Sequence, residues 1–152
     1  MKAIHHVVGI DAPPGRVWSA LTELAGLARW WSAKVVQVGG SGVGSRLNWT
    51  FSGDFNPVME ITAIKDGAGV EWLCVSGHQP WQDGQFRFQI AGTGGGQTRL
   101  RFWQEYAVEL ADGYCGVYNF NWGYCLDSLR LLCVTGTGKP FRAEDSAHYG
   151  GT

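Results

Sequence analysis

Histidine is the residue type in this chain best suited to bind a metal or to transfer a proton. The four histidines are His5, His6, His78 and His148. His5 and His6 are neighbours on a predicted strand and therefore point to opposite faces. His78 falls in a predicted loop and His148 in the C-terminal tail, so the spacing matches no zinc site. The sequence predicts no metal site and no cofactor.

The cysteines are the second candidate group. Cys74, Cys115, Cys125 and Cys133 include no Cys-x-x-Cys pair, and the last three fall in one predicted helix. On that helix Cys115 and Cys125 would point about 80° apart and lie about 15 Å apart in rise, which is too far for a disulfide. Reduced, buried thiols are therefore the prediction.

Acid-base catalysis would need a positioned titratable pair. The candidate pairs are His78 with Asp83, and Glu60 with Glu71 on predicted strands. Carboxylates on the outer face of a sheet account for the glutamates without any catalytic role, and nothing singles out one base. The sequence favours a protein with no catalytic activity, or with weak activity, over an efficient enzyme.

Aromatic side chains are the most unusual part of the composition. The 152 residues include 8 Trp, 5 Tyr and 7 Phe, and 45% are hydrophobic while 16% are charged. This composition excludes a disordered chain. Twelve Lys and Arg against 13 Asp and Glu give a net charge of −1, so nucleic acid is not an expected partner. The aromatic rings either fill a large core or line an apolar cavity.

Hydrophobic periodicity indicates which elements position these rings. Residues 4–10 alternate as a strand, and Pro13 and Pro14 then mark a helix entry, followed by a second short helix over Glu23–Trp30. From residue 33 to residue 106 the period is two, with glycine-rich turns between about six further strands. A long helix follows over Tyr114–Thr135, about 33 Å in length, and Gly136 is the expected residue just past its end.

The inward positions of these elements form one predicted cavity between the sheet and the long helix. Gln104 and His6, with Tyr106 and Asn119, are polar candidates to orient a ligand there. The predicted cavity residues are Trp49, Phe51, Met59, Trp72, Phe86, Phe88, Phe102, Gln104, Tyr118, Trp122, Leu126 and Leu129.

Several segments resemble one known superfamily in order and spacing. The segment 12–22, with Trp30 and Trp31 after it, is similar to the opening of START-like proteins, also called SRPBCC or birch-pollen-allergen-like proteins. The segment 122–129 is similar to their terminal helix. Segments 70–75 and 98–102 resemble the branch called activator of heat shock protein 90 ATPase homologue-like.

This resemblance spans about residues 4–140 and implies an α+β helix-grip fold. In that fold a curved antiparallel sheet of about seven strands wraps around a long C-terminal helix, and two short helices follow the first strand. It also implies a cavity for lipids, polyketides or other apolar molecules. Many relatives have a histidine late in the last strand, where this chain has Gln104.

Three functions follow as alternatives. The first is binding of an apolar small molecule of lipid, polyketide or aromatic type. The second is an interaction module acting on a chaperone ATPase, and the third is a cyclase-like, aromatase-like or hydrolytic enzyme. Trp103, expected on the outer face, leaves a homodimer open as well.

The sequence also predicts the domain organisation and the cellular location of the protein. Residues 1–140 are predicted to form a single START-like domain, with residues 141–152 as a C-terminal tail. No run approaches the roughly 20 apolar residues of a membrane span, and the first residues lack the pattern of a signal peptide. A cytoplasmic protein is therefore expected.

Overall fold

A computed structural model describes residues 3–142 of the chain as a seven-stranded antiparallel sheet, two short helices and a long terminal helix. The strands lie in the order β1-β7-β6-β5-β4-β3-β2, so that β1 and β2 are the two edges. The predicted helix-grip α+β fold is confirmed. The elements are β1 (Ala3–Ile10), α1 (Pro14–Thr22), α2 (Leu24–Leu27), β2 (Lys34–Val38), β3 (Arg46–Thr50), β4 (Val58–Lys65), β5 (Gly69–Ser76), β6 (Gln85–Gly94), β7 (Gln97–Glu105) and α3 (Asp112–Thr135).

The second helix is shorter than the predicted Glu23–Trp30. It ends at Leu27, and the following turn buries both Trp30 and Trp31. Had the helix continued, these neighbouring rings would have pointed about 100° apart, and only one of them could have faced the core. The turn is held by the Trp30 Nε1 atom, which donates a hydrogen bond to the carbonyl of Ala20 at 2.8 Å.

The edge strand β2 exposes the valines whose alternation predicts it. Val36 and Val38 are 54% and 52% exposed, while Val35 and Gln37 are half-buried on the inner side. A period of two fixes which residues share a face but does not say which face is buried. The strand was therefore predictable, and the direction of its side chains was not.

The C-terminal end of α3 is fixed to the opening helices. Arg16 Nη1 donates to the carbonyl of Cys133 at 3.1 Å, and Arg29 Nη2 donates to the carbonyl of Gly136. These guanidinium groups meet carbonyls that the end of a helix leaves without partners. Gly136 has φ +86°, so the predicted left-handed residue past the helix end is confirmed.

The chain leaves α3 and returns to the core through Phe141. The Phe141 side chain is buried, and its backbone nitrogen donates to the Trp31 carbonyl at 2.8 Å. The packed core thus continues past residue 140, the predicted boundary of the domain. The rest of the predicted tail, from residue 143, lies outside the described residues.

The cysteines are free thiols, as predicted. Cys74, Cys125 and Cys133 are buried and Cys115 is half-buried. Burial raises the pKa of Cys74 to about 12 and that of Cys133 to about 11, which keeps both thiols protonated at neutral pH. Within residues 3–142 no group of three or more potential metal ligands comes together, and no helix is long and apolar enough to cross a membrane.

Candidate functional site

The predicted cavity residues lie together in the interior between the sheet and α3. All twelve are buried, and eleven of them are hydrophobic. Strand pairing explains the arrangement, because Trp72 lies opposite Phe86 and Phe88 lies opposite Phe102 in the ladder. The helix contributes Trp122, whose ring centroid is 4.3 Å from that of Phe102. Sequence alternation therefore selected the correct faces of these strands.

Trp81 lies at the centre of this interior, although its sequence position predicts a loop. It belongs to the connection between β5 and β6 and is 4% exposed. Its ring lies 6.3 Å from that of Trp31 and 6.1 Å from that of Trp122, centroid to centroid. Phe55, from the connection between β3 and β4, meets Trp81 edge-on at 5.0 Å. The structure thus adds Trp31, Phe55 and Trp81 to the predicted residues.

Trp31 already belongs to the segment that carries the resemblance, but no regular period marks Trp81 or Phe55. Trp81 follows Pro80 in a short segment of turn-forming residues, and Phe55 lies between Asp54 and Asn56. Such surroundings are typical of exposed loops. The only available signal was the residue type itself, because a Trp or Phe in a short loop must otherwise expose a large apolar surface.

A small void remains beside these rings. Its volume is about 10 Å³, which is enough for about one water molecule. The predicted residues therefore surround no cavity of ligand size in this structure, because side chains, chiefly Trp81, fill the space between the sheet and α3. The void is lined by Trp31, Phe55, Trp81, Tyr118, Asn121, Trp122 and Cys125.

Three indoles around the void are nearly parallel. The ring planes of Trp31 and Trp81 differ by 13°, those of Trp81 and Trp122 by 17°, and those of Trp31 and Trp122 by 28°. The Trp31 and Trp122 centroids lie 5.3 Å apart. Such spacings are typical of offset stacking between aromatic rings. The three indoles form one stacked cluster beside the void.

Gln104 is the most buried polar side chain beneath α3. Its Oε1 accepts a hydrogen bond from Trp122 Nε1 at 2.6 Å, which fixes the indole of the helix against β7. Its Nε2 has no hydrogen-bond partner among residues 3–142. The side chain is completely buried. Gln104 therefore positions Trp122 and keeps both amide hydrogens without a partner among the described residues.

Other buried donors in the same region are also unpaired. The Nε1 atoms of Trp49 and Trp72 and the hydroxyl of Tyr106 have no hydrogen-bond partner in the described part of the chain. Each unpaired buried donor costs on the order of 1–3 kcal/mol. None of these three residues lines the void.

The two tyrosines near the void are neutral at physiological pH. Burial, and then the neighbouring Tyr118, raise the pKa of Tyr106. Burial, and then Tyr114, raise the pKa of Tyr118, whereas the nearby Trp81 indole lowers it. Neither Trp81 Nε1 nor the Tyr118 hydroxyl forms a hydrogen bond of ordinary geometry within residues 3–142. These hydroxyls can orient a ligand but do not supply a negative charge.

His6 and His78 flank the interior from opposite sides. Burial lowers the pKa of both imidazoles. Interaction with Asn119 of α3 raises the pKa of His6 in part, and its ring lies 3.9 Å from where a side chain on Gly123 would begin. His78 stacks on Trp81 with a centroid distance of 6.1 Å. His6 lies at the interior as predicted, whereas Asn119, also a predicted polar candidate, is exposed.

Trp103 is less exposed than the alternation predicts. Its ring stacks on His5 at 4.7 Å, and the Arg87 guanidinium lies 5.1 Å from its centroid. Trp103 is therefore half-buried by its neighbours on the outer face of the sheet. These neighbours account for the ring without a partner protein.

Comparison with known proteins identifies relatives of this fold. The model of the family described as "Activator of Hsp90 ATPase homolog 1-like protein" matches residues 11–133. The solution structure of the Aha1 dimer from Colwellia psychrerythraea is 30% identical with a TM-score of 0.77, and the match covers 91% of this chain and 100% of that one. No curated protein matches the chain by sequence.

More distant structures share the fold alone. DynU16, described as a putative protein in the dynemicin biosynthetic locus, is 16% identical with a TM-score of 0.73, covering 91% of this chain and 49% of that one. CalU16 from Micromonospora echinospora is 18% identical with a TM-score of 0.65, covering 90% and 76%.

Proposed function

The chain belongs to the Activator of Hsp90 ATPase homolog 1-like family, and within that family we propose that it binds a flat aromatic small molecule carrying oxygen acceptors. The site is the space that the Trp81 indole fills between the sheet and α3. The observation that carries this proposal is the group of three nearly parallel indoles, Trp31, Trp81 and Trp122, around a small void. A flat guest in the place of one indole would keep the stacking of the other two.

Trp81 is the ring best placed to move. Trp31 and Trp122 are joined to the rest of the fold, the latter through its hydrogen bond to Gln104. The Trp81 indole forms no hydrogen bond of ordinary geometry among the described residues, so its departure gives up only the weaker interaction with the Tyr118 hydroxyl. The backbone of its loop is closed locally, because Trp81 N donates to the His78 carbonyl at 2.8 Å. The indole can therefore leave by a change confined to the β5–β6 connection.

One unpaired hydroxyl defines the polar part of the ligand. The Tyr118 hydroxyl lines the void and has no hydrogen-bond partner of ordinary geometry among the described residues. A carbonyl or ether oxygen on the guest would accept a hydrogen bond from it. A flat aromatic ligand with such an oxygen fits this arrangement better than a saturated fatty acid, which cannot stack on Trp31 and Trp122.

Flavone is the probe that tests this proposal, because it is flat and aromatic and has a carbonyl acceptor. We expect flavone to raise the melting temperature, since a ligand at 100 times its Kd adds about 2.7 kcal/mol of stability. Dodecanoate is the saturated control and should produce a smaller shift. Titration calorimetry of the same two compounds gives the affinities directly.

Trp81→Ala is the informative variant. It enlarges the void and removes the need to displace the indole, so we expect flavone to bind at least tenfold more tightly than to the unaltered chain. Trp81→Leu is the second variant, should the alanine variant fail to fold. Trp103→Ala removes an indole from the outer face and is the matched control, with unchanged flavone affinity. Absence of flavone binding to the unaltered chain and to the folded Trp81 variant would contradict the proposal.

Action on a chaperone ATPase is the second candidate function. It is favoured by the 30% identity to the Aha1 of Colwellia psychrerythraea over nearly the whole chain. The test is the ATP turnover of a purified bacterial Hsp90 with increasing amounts of the chain. A saturable increase supports this function, and turnover that does not change at a tenfold excess argues against it.

A further inference from the structure

The outer face of the sheet carries a second concave surface, far larger than the interior void. Its volume is about 510 Å³, and it extends across β4, β5, β6 and β7. We call it the outer groove. It lies on the opposite side of the sheet from the aromatic interior, and what it binds is therefore independent of the function proposed above.

Small residues make the floor of the outer groove. Ala63, Ala68, Gly69 and Ala91 line it, where longer side chains would fill the hollow. A side chain at Gly69 would begin 3.1 Å from the carbonyl oxygen of Phe88, closer than most real contacts. The groove is thus a consequence of which residues the sheet register brings side by side.

Long cationic side chains make its rim. Lys65, Arg87, Arg99 and Arg101 line the groove together with one carboxylate, Glu71. Four of the twelve Lys and Arg residues of a chain with net charge −1 therefore meet on one surface. A concentration of one sign of charge in a concave surface attracts ligands of the opposite sign.

Three of these cations have no local partner. Arg87 forms an ion pair with Glu105 and lies over the Trp103 ring. Lys65, Arg99 and Arg101 form no ion pair among residues 3–142. Their charges are therefore available to an anionic ligand.

Two of the cations mark the ends of a row across the sheet. Lys65 pairs with Gly69, Gly69 with Gln89, and Gln89 with Arg101 in successive ladders. Three strand spacings of about 4.8 Å place Lys65 and Arg101 roughly 14 Å apart across the sheet. For one phosphate to contact both ends, the long Lys65 and Arg101 side chains would have to extend towards each other across the groove. An extended polypeptide with several carboxylates pairs with each cation where it lies.

We propose that the outer groove binds an acidic segment of a partner protein, with Lys65 at one end and Arg99 and Arg101 at the other contacting its carboxylates. The small residues between them leave room for the backbone of that segment. Charge complementarity supplies the attraction, and binding therefore weakens as salt increases.

The test uses a fluorescein-labelled peptide of twelve residues with alternating Glu and Ala, and its anisotropy on titration with the full chain. We expect saturable binding that weakens about tenfold between 50 and 300 mM NaCl. The same peptide with Gln in place of Glu should not bind. Equal binding of both peptides would overturn the proposal.

The triple variant Lys65→Gln, Arg99→Gln and Arg101→Gln should weaken peptide binding at least tenfold. These side chains are exposed, so the variant is expected to keep its fold and its melting temperature within a few degrees.

A second triple variant, Lys34→Gln, Arg46→Gln and Arg142→Gln, removes the same charge from exposed positions outside the groove. It should change the affinity less than twofold. An equal loss in both triple variants would show a nonspecific charge effect and overturn the proposal.

Two further outcomes also overturn the proposal. If inorganic phosphate displaces the peptide at concentrations too low for its ionic strength to weaken peptide binding, the groove is a site for small anions. Sedimentation velocity that shows a dimer in the unaltered chain and a monomer in the groove variant would indicate a second copy of the chain as the occupant. Flavone binding is expected to be the same in all these variants, which separates this result from that for the interior site.

Discussion

The two halves of α3 differ in how firmly they are held. In the C-terminal half, Leu126 and Leu129 are buried, and the Ser128 hydroxyl donates to the Trp30 carbonyl at 2.8 Å and accepts from the Lys139 nitrogen at 2.6 Å. The N-terminal half contains three glycines, and its Phe120 is 74% exposed. A glycine inside a helix costs about 1 kcal/mol relative to alanine.

Because of this difference, one half of α3 stabilises the fold and the other half controls access to the void. The C-terminal half joins the helix to the opening helices and the core, whereas the N-terminal half covers the void through Tyr118 and Trp122. A helix that is weak at one end can open there without unfolding elsewhere. We therefore expect a guest to enter where the N-terminal half of α3 meets the loop of Trp81.

The largest expected effect comes from the firmly held half. Leu129→Ala removes a completely buried side chain and should lower the free energy of unfolding by about 2–5 kcal/mol. Urea denaturation followed by circular dichroism measures this loss. Flavone affinity at a temperature where the variant is folded should stay within twofold of the original. A tenfold change in flavone affinity would show that the two halves of α3 are coupled. It would contradict the distinction between a half that stabilises the fold and a half that controls access.

A smaller effect of opposite sign is expected in the weak half. Nothing lies within 4 Å of the position that a side chain on Gly116 would take, so alanine fits there. Gly116→Ala should raise the free energy of unfolding by about 1 kcal/mol.

Hydrogen exchange and stopped-flow mixing sharpen this prediction. In the unaltered chain, amides of residues 112–123 should exchange faster than those of residues 126–135, and Gly116→Ala should reduce the difference. The same variant should slow flavone association. Gly113→Ala is the control. Gly113 lies at the very start of the helix, so this substitution should change amide exchange and flavone association less. Uniform exchange along α3 would contradict the comparison.

The smallest effect is a loss of stability in acid, caused by the two half-buried histidines His6 and His78. Burial lowers the pKa of His6 and of His78 below 6.5, the ordinary value for histidine, so the unfolded chain binds protons more readily than the folded one. The stability due to these neutral imidazoles is complete above pH 6.5 and is lost as the pH falls from there through the folded pKa values.

Melting temperatures between pH 8 and pH 5 test this sign. We expect a decrease below pH 6.5 that is reduced in the double variant His6→Gln and His78→Gln. His5→Gln is the comparison for loss of an exposed imidazole. Because the charge of His5 contributes to the lowered pKa of His6, this variant should reduce the decrease less than the double variant does. A melting temperature that rises in acid would refute the assignment.

Periodicity predicted the sheet and the helix because it follows from burial of one face. Phe86 and Phe88 alternate with polar residues, and Leu126 and Leu129 recur at helical spacing, so each element shows its inner side. Trp81 could not be found in this way, because a loop has no repeating face. Its burial depends on Trp31 and Trp122, which lie far from it in sequence.

The outer groove was hidden for a different reason. Arg99 and Arg101 alternate with buried residues, so their outward direction was predictable. The hollow beside them also needs Gly69 and Ala91 on neighbouring strands, and strand register brings these together. Register depends on turn geometry and bulges that the composition of a single strand does not specify.

The arginine contacts of the opening helices also bear on how this protein is made. Arg16 and Arg29 hold the carbonyls of Cys133 and Gly136, which leave the ribosome more than a hundred residues later. Domains generally fold as units during synthesis. The opening helices therefore cannot complete these contacts, and the tryptophans of the nascent chain stay exposed, until α3 has emerged from the ribosomal exit tunnel.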